Sequence, residues 1–104
     1  MISMNSLTNL NNIIYTMKEE KSYFFIFKEV YLFGSIINNS KYNDIDILLI
    51  YENNSPELLI QKKKLEYTLG YKLNCSLDIT MLSCSEEREV NFLERINSKY
   101  IKIK

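Results

Sequence analysis

Asp44 and Asp46 stand ten and twelve residues after Gly34. No other pattern in the chain constrains its fold as strongly. An apolar run, Tyr31-Leu32-Phe33, stops at Gly34-Ser35. Eight mostly polar residues follow, and then Asp44-Ile45-Asp46 opens a second apolar run, Ile47-Leu48-Leu49-Ile50-Tyr51. A strand turns successive side chains to opposite faces, so Asp44 and Asp46 share one face. With a rise of about 3.3 Å per residue, their Cα atoms lie roughly 6.6 Å apart, within reach of a common divalent cation. Two carboxylates on one face of an otherwise apolar strand are costly unless a positive group neutralises them. The pattern therefore predicts a metal site at the start of a buried strand.

The composition narrows the chemistry. A chain of 104 residues, 46% hydrophobic, suits one small domain with an ordinary core, and we expect a single domain over 1–104. Thirteen basic and thirteen acidic residues cancel, which leaves no overall field to recruit nucleic acid. Histidine is absent, and its absence excludes imidazole bases, Ser-His-Asp triads and His-based zinc sites. Cys75 and Cys84 make neither a disulfide framework nor a zinc ribbon and read as buried small hydrophobes. Nothing at the N-terminus has the pattern of a signal peptide, and no apolar run has the length of a membrane span. A cytoplasmic protein is expected.

Along the chain, Leu7, Leu10, Ile13, Ile14 and Met17 recur at helical spacing behind Ser6, which predicts a first helix over 6–20. Val30 to Phe33 reads as a strand running into Gly34, with a short helical turn through Ile36 and Ile37. A second strand covers 45–51. Ser55-Pro56-Glu57 then supplies a cap, a proline and an early acid for a helix that should reach Leu69, with Gly70 as its left-handed terminator. A third strand over 76–82 holds Asp78. Ser83 and Glu86, at capping-box spacing, open a last helix with Val90, Phe92, Leu93 and Ile96 inward. The end, 99–104, is a basic tail whose structure the sequence leaves open; Lys99, Lys102 and Lys104 read as solvated faces, as do Lys62-Lys63-Lys64. The predicted order is α-β-(α)-β-α-β-α: an α/β fold with a small mixed β-sheet backed by helices and its acids on the exposed face.

The chemistry follows from these positions. Gly34 lets a ligand approach the backbone, and Ser35 offers a hydroxyl and an amide at a helix start, where phosphate oxygens are favoured. Asp44 and Asp46 suit Mg²⁺, which takes hard oxygen ligands and bridges to phosphates. If the strand of Asp78 lies beside theirs, three acids converge and two metals could assist an in-line phosphoryl displacement.

Gly34-Ser35, the spacer, Asp44-x-Asp46 and the later Asp78 resemble the nucleotidyltransferase superfamily that includes DNA polymerase beta. The size and order of elements look most like its minimal, single-domain bacterial (MNT-like) members. The resemblance covers residues 27–83 best. It implies a nucleotidyltransferase-type fold, with Gly34 and Ser35 binding the nucleotide phosphates; Lys41, the cation of the connection, is the further phosphate-binding candidate. It implies Asp44, Asp46 and Asp78 as both metal ligands and catalytic acids, with two Mg²⁺ ions as cofactor. The implied reaction moves a nucleoside monophosphate, AMP from ATP, to an acceptor hydroxyl. Minimal members are commonly paired with a small helical HEPN-type toxin, so an antitoxin role acting on such a partner is also implied.

The chain departs from the family pattern where many relatives carry a basic residue and a glycine after Gly-Ser. Here Ile36-Ile37-Asn38-Asn39 stands instead, and Lys41 is the sole cation of the connection. A second reading is therefore a catalytically weak or inactive module of the same fold that neutralises or scaffolds a partner by contact. The surplus aromatics of Tyr23 to Phe27 could serve such an interface. RNA tailing is a third reading, opposed by the neutral charge. Residue by residue, the bland alternatives are a turn acid and a strand-edge acid for Asp44 and Asp46, a tight turn for Gly34, a helix cap for Ser35 and a salt bridge for Asp78.

Overall fold

A computed structural model describes residues 10–38, 44–96 and 99–104. Its centre is a four-stranded mixed sheet of β1 (Glu29–Phe33), β2 (Asp44–Tyr51), β3 (Ser76–Ser83) and β4 (Tyr100–Lys102), in the order β3-β2-β1-β4. β1 is antiparallel to both β2 and β4, whereas β2 and β3 are parallel. Parallel neighbours need a crossover, and α3 (Pro56–Leu73) supplies it. The other helices are α1 (Leu10–Glu19), α2 (Ser35–Asn38), α4 (Cys84–Val90) and α5 (Phe92–Arg95), with a 3₁₀ turn at Lys21–Phe24.

Alternation along the strands divides the side chains between two faces. Ile45, Ile47 and Leu49 of β2 and Val30 and Leu32 of β1 turn to one side. There they meet Ile13 and Met17 of α1, and Leu58, Leu65, Leu69 and Leu73 of α3. Those α3 positions recur at helical spacing, so the helix lays a leucine stripe on the sheet. The opposite face carries a smaller cluster of Tyr31, Leu48 and Ile50, with Phe33, Leu82, Phe92, Leu93 and Tyr100 packed against it. Asp44, Asp46 and Asp78 fall on this second face, as the sequence predicts.

Several expectations need correction. The predicted start of the first helix lies outside the described residues. Gly70 does not end α3: the helix continues one turn to Leu73, and Asn74 takes the left-handed conformation instead, with φ 51°. Burial of both Leu69 and Leu73 favours the extra turn, while Gly70 sits against the returning chain, where a Cβ would come within 3.3 Å of the Cys75 carbonyl. Ser55 stands at the N-cap position of α3 without a side-chain capping bond. The capping box of α4 is present, with Ser83 Oγ accepting from the Glu86 amide at 3.0 Å and Glu86 accepting from the Ser83 amide at 2.8 Å.

The last helix is broken into two short pieces by Asn91, again left-handed, and Val90 is 40% exposed rather than inward. The basic tail contains β4, which closes the far edge beside β1, and Lys99, Lys102 and Lys104 are exposed as expected. Lys104 is also engaged, donating to the carbonyls of Phe24, Phe25 and Phe27 at 3.0, 3.2 and 2.6 Å. Lys62 reaches Glu66, one helical turn on, at 3.5 Å.

Candidate active site

The site is built at one end of the sheet, on the face of the smaller cluster. Asp46 is in register with Phe33 on one side and with Asp78 on the other. Partners in a ladder share a face, so Phe33, Asp46 and Asp78 form a row across three strands. Asp44, two residues earlier in β2, lies on the same face opposite Ser76. Asp44 and Asp78 are exposed, and Asp46 between them is half-buried.

The acids of the pair interact directly. Burial pushes the Asp46 carboxyl up to about 6, and the charge of Asp78, a hydrogen bond with Asp78 and the charge of Asp44 push in the same direction. A carboxyl in hydrogen-bond contact with a second carboxyl gains by holding a proton between them. The thiol of Cys75 is likewise raised, first by burial and then by the charge of Asp44, which disfavours a thiolate.

Gly34 is tied to this pair. It has φ +84°, a conformation L side chains rarely adopt, and a Cβ built there would collide with the carboxylate of Asp46, whose Cγ lies 2.8 Å away. The turn therefore requires glycine for its backbone and for the space that Asp46 fills. Ser35 opens α2, and the amide of Ile37 donates back to the Gly34 carbonyl at 3.1 Å. Lys41 lies outside the described residues.

The structure thus brings together Gly34, Asp46 and Asp78, with Asp44 on the same face. Among the described residues, no three acidic, cysteine or histidine side chains form a ready set around one point. Resident-metal chemistry suits the pair in contact: two ionised hard-oxygen donors repel each other, and a divalent cation would relieve that repulsion. Sequence reasoning passed over Phe33, which stands beside Asp46 and packs edge-to-face on Phe92 at 5.3 Å, making an aromatic wall to the site. It also passed over Ser76 and Thr80, the hydroxyls flanking Asp78. The alternation that paired Asp44 with Asp46 places both hydroxyls on the acid face.

This mixed sheet, with a glycine turn packed on paired strand acids, is a nucleotidyltransferase-type fold. The family model described as the nucleotidyltransferase domain matches residues 10–104, and the chain belongs to that family. Among solved structures, the complex of tri-AMPylated Shewanella oneidensis HEPN toxin with MNT antitoxin contains a similar chain. That chain aligns with a TM-score of 0.57 and 19% identity, covering 92% of this chain and 71% of its own length. A Sulfolobus solfataricus protein described as a nucleotidyltransferase aligns with a TM-score of 0.51 and 19% identity, over 98% of this chain and 87% of its own. At such identities the likeness is one of fold. No curated protein matches the chain significantly. No described helix is long and apolar enough to cross a membrane.

Proposed function

We propose that this domain transfers a nucleoside monophosphate, AMP from ATP, to an acceptor hydroxyl and releases pyrophosphate. The observation that carries the reading is the in-register contact of Asp46 with Asp78 beside the Gly34 turn. Asp46 and Asp78, with Asp44 from the same face, would hold Mg²⁺. When bound, Mg²⁺ supplies charge neutralisation for the triphosphate and the departing pyrophosphate. Gly34 makes the turn that brings the chain against Asp46 and into Ser35. Ser35 offers its hydroxyl and amide to the phosphates, and Lys41 contributes the cation of that connection. Asp78, the outer acid of the pair, would accept the proton of the attacking hydroxyl. The Phe33–Phe92 wall bounds the site and excludes water from one side of it.

The partner we propose is a small helical protein of the HEPN type, with this chain as the antitoxin that modifies it. The likeness to a chain of the HEPN–MNT complex supports that pairing. Incubation with α-phosphate-labelled ATP, Mg²⁺ and host-cell extract tests the reaction. Label on a macromolecule with wild type, absent with the Asp44→Asn, Asp46→Asn double variant, is the expected result.

One observation favours a second reading, neutralisation of a partner by contact alone. The positions after Ser35 that many relatives fill with a basic residue are Ile36 and Ile37 here, and Ile36 is buried in the main core. In that case no nucleotide is transferred, and partner inhibition survives Asp46→Asn.

A further inference from the structure

Among the described residues, β3 is an edge strand of eight residues, paired on one side only, to β2. In a parallel ladder alternate residues turn their N–H and C=O groups away from the neighbour, so β3 offers a row of hydrogen-bonding groups outward. Among the described residues, none of these groups bonds to another backbone segment. Protected edges are usually short, bulged, or broken by proline or lysine. Ser76-Leu77-Asp78-Ile79-Thr80-Met81-Leu82-Ser83 is long, in unbroken register and without proline or lysine, and a single charge, Asp78, blunts it. The opposite edge, β4, has three residues and includes Lys102, which reaches Glu29 at 3.7 Å.

We infer that β3 pairs with β3 of a second copy of this chain, antiparallel about a two-fold axis through Ile79. The sequence of the strand is self-complementary in that register. Ile79 meets Ile79, and Leu77 meets Met81, on the face that carries the main core. Asp78 meets Thr80, and Ser76 meets Leu82, on the acid face. A two-fold axis normal to the sheet keeps each face continuous, which demands such even-to-even and odd-to-odd pairing. A one-residue slip would set core-face residues against acid-face residues. The charge pattern fits as well: Asp78 stands opposite an uncharged hydroxyl, and like charges are never directly opposed. The two four-stranded sheets become one of eight strands. Thr80 of the second copy then lies beside Asp78, where its hydroxyl can donate to the carboxylate, so each acid row gains a group from the other subunit.

Sedimentation of the wild-type chain over a wide concentration range, combined with disulfide mapping, tests the inference. The mapping uses single cysteines in a Cys75→Ser, Cys84→Ser background. Directly opposed residues in an antiparallel pair have Cα atoms about 4.5–5.5 Å apart, within disulfide reach. A wild-type dimer and rapid oxidative linking of Ile79→Cys are expected, with slow linking of Thr80→Cys, whose copies are offset along the strand. Linking at Tyr71→Cys on the exposed face of α3 should be slower still. A wild-type chain that sediments as a monomer throughout overturns the inference. So does a dimer in which Tyr71→Cys or Thr80→Cys links faster than Ile79→Cys. Neither readout depends on nucleotidyl transfer, so loss of the proposed activity leaves this test intact.

Discussion

The two faces of β2 are built from one run of eight residues and behave oppositely. On one face Ile45, Ile47 and Leu49 are fully covered by α1 and α3. On the other, Asp44 is exposed and Asp46 half-buried at one end, and only Leu48 and Ile50, further along, are buried, covered by the chain around α4 and α5. The covering elements make the difference. An 18-residue helix crosses the first face, whereas helices of seven and four residues pack on the second. Incomplete cover leaves the acids reachable, and the deep core behind them holds their strands in register. Stability and chemistry are thus divided between two sides of one sheet.

The comparison can be broken most severely from the core side. Leu49→Ala should cost about 2–5 kcal/mol, read by urea denaturation, since a fully buried leucine leaves a cavity. A loss near zero would mean that the covered face does not carry the stability. Next in size is Gly34→Ala, which forces an alanine to a positive φ against Asp46. Strain of about 1–3 kcal/mol is expected, and labelled-nucleotide transfer should fall further than stability does. Ser83→Ala removes the hydroxyl half of the α4 capping box and should cost about 1 kcal/mol, read by thermal melting.

The smallest effect has the opposite sign. The Asp46 carboxyl is raised from its ordinary value of 3.8 to about 6, so folding favours its protonated form. The stability it contributes is fully present below the ordinary value and is lost as pH rises through about 6. Above that, the ionised pair opposes folding. In chelator, Asp46→Asn should therefore melt slightly above wild type at pH well over 6, with the gap shrinking as pH falls. Adding Mg²⁺ should raise the wild-type melting temperature more than the variant's. Identical pH profiles for wild type and variant would refute the like-charge contact.

How much of this was legible depended on whether the signal was local. The β2 alternation, the Gly34-Ser35 stop and the Ser83–Glu86 box are patterns of near neighbours, and each appears where expected. β4 was not legible, because the alternation Ile101-Lys102-Ile103-Lys104 is too short to separate a strand from a tail. Tyr100, Ile101 and Lys102 are strand only because β1 offers them an edge. The Gly70 stop failed for the same kind of reason: glycine is a strong local terminator, but burial of Leu73 outweighed it. Val90 fits a helical repeat, yet the reversal at Asn91 turned the chain before that face could be covered.

The sequence by itself determined that two acids share a face at the head of a buried strand, because strand alternation depends on nothing beyond the strand. Only the tertiary structure decided that Asp78 faces Asp46 rather than Asp44, since the register of a parallel pair is set by the crossover helix and by the core it packs on. It also decided that Gly34 closes against Asp46, a contact between residues twelve apart in sequence that only the pairing of β1 with β2 brings about.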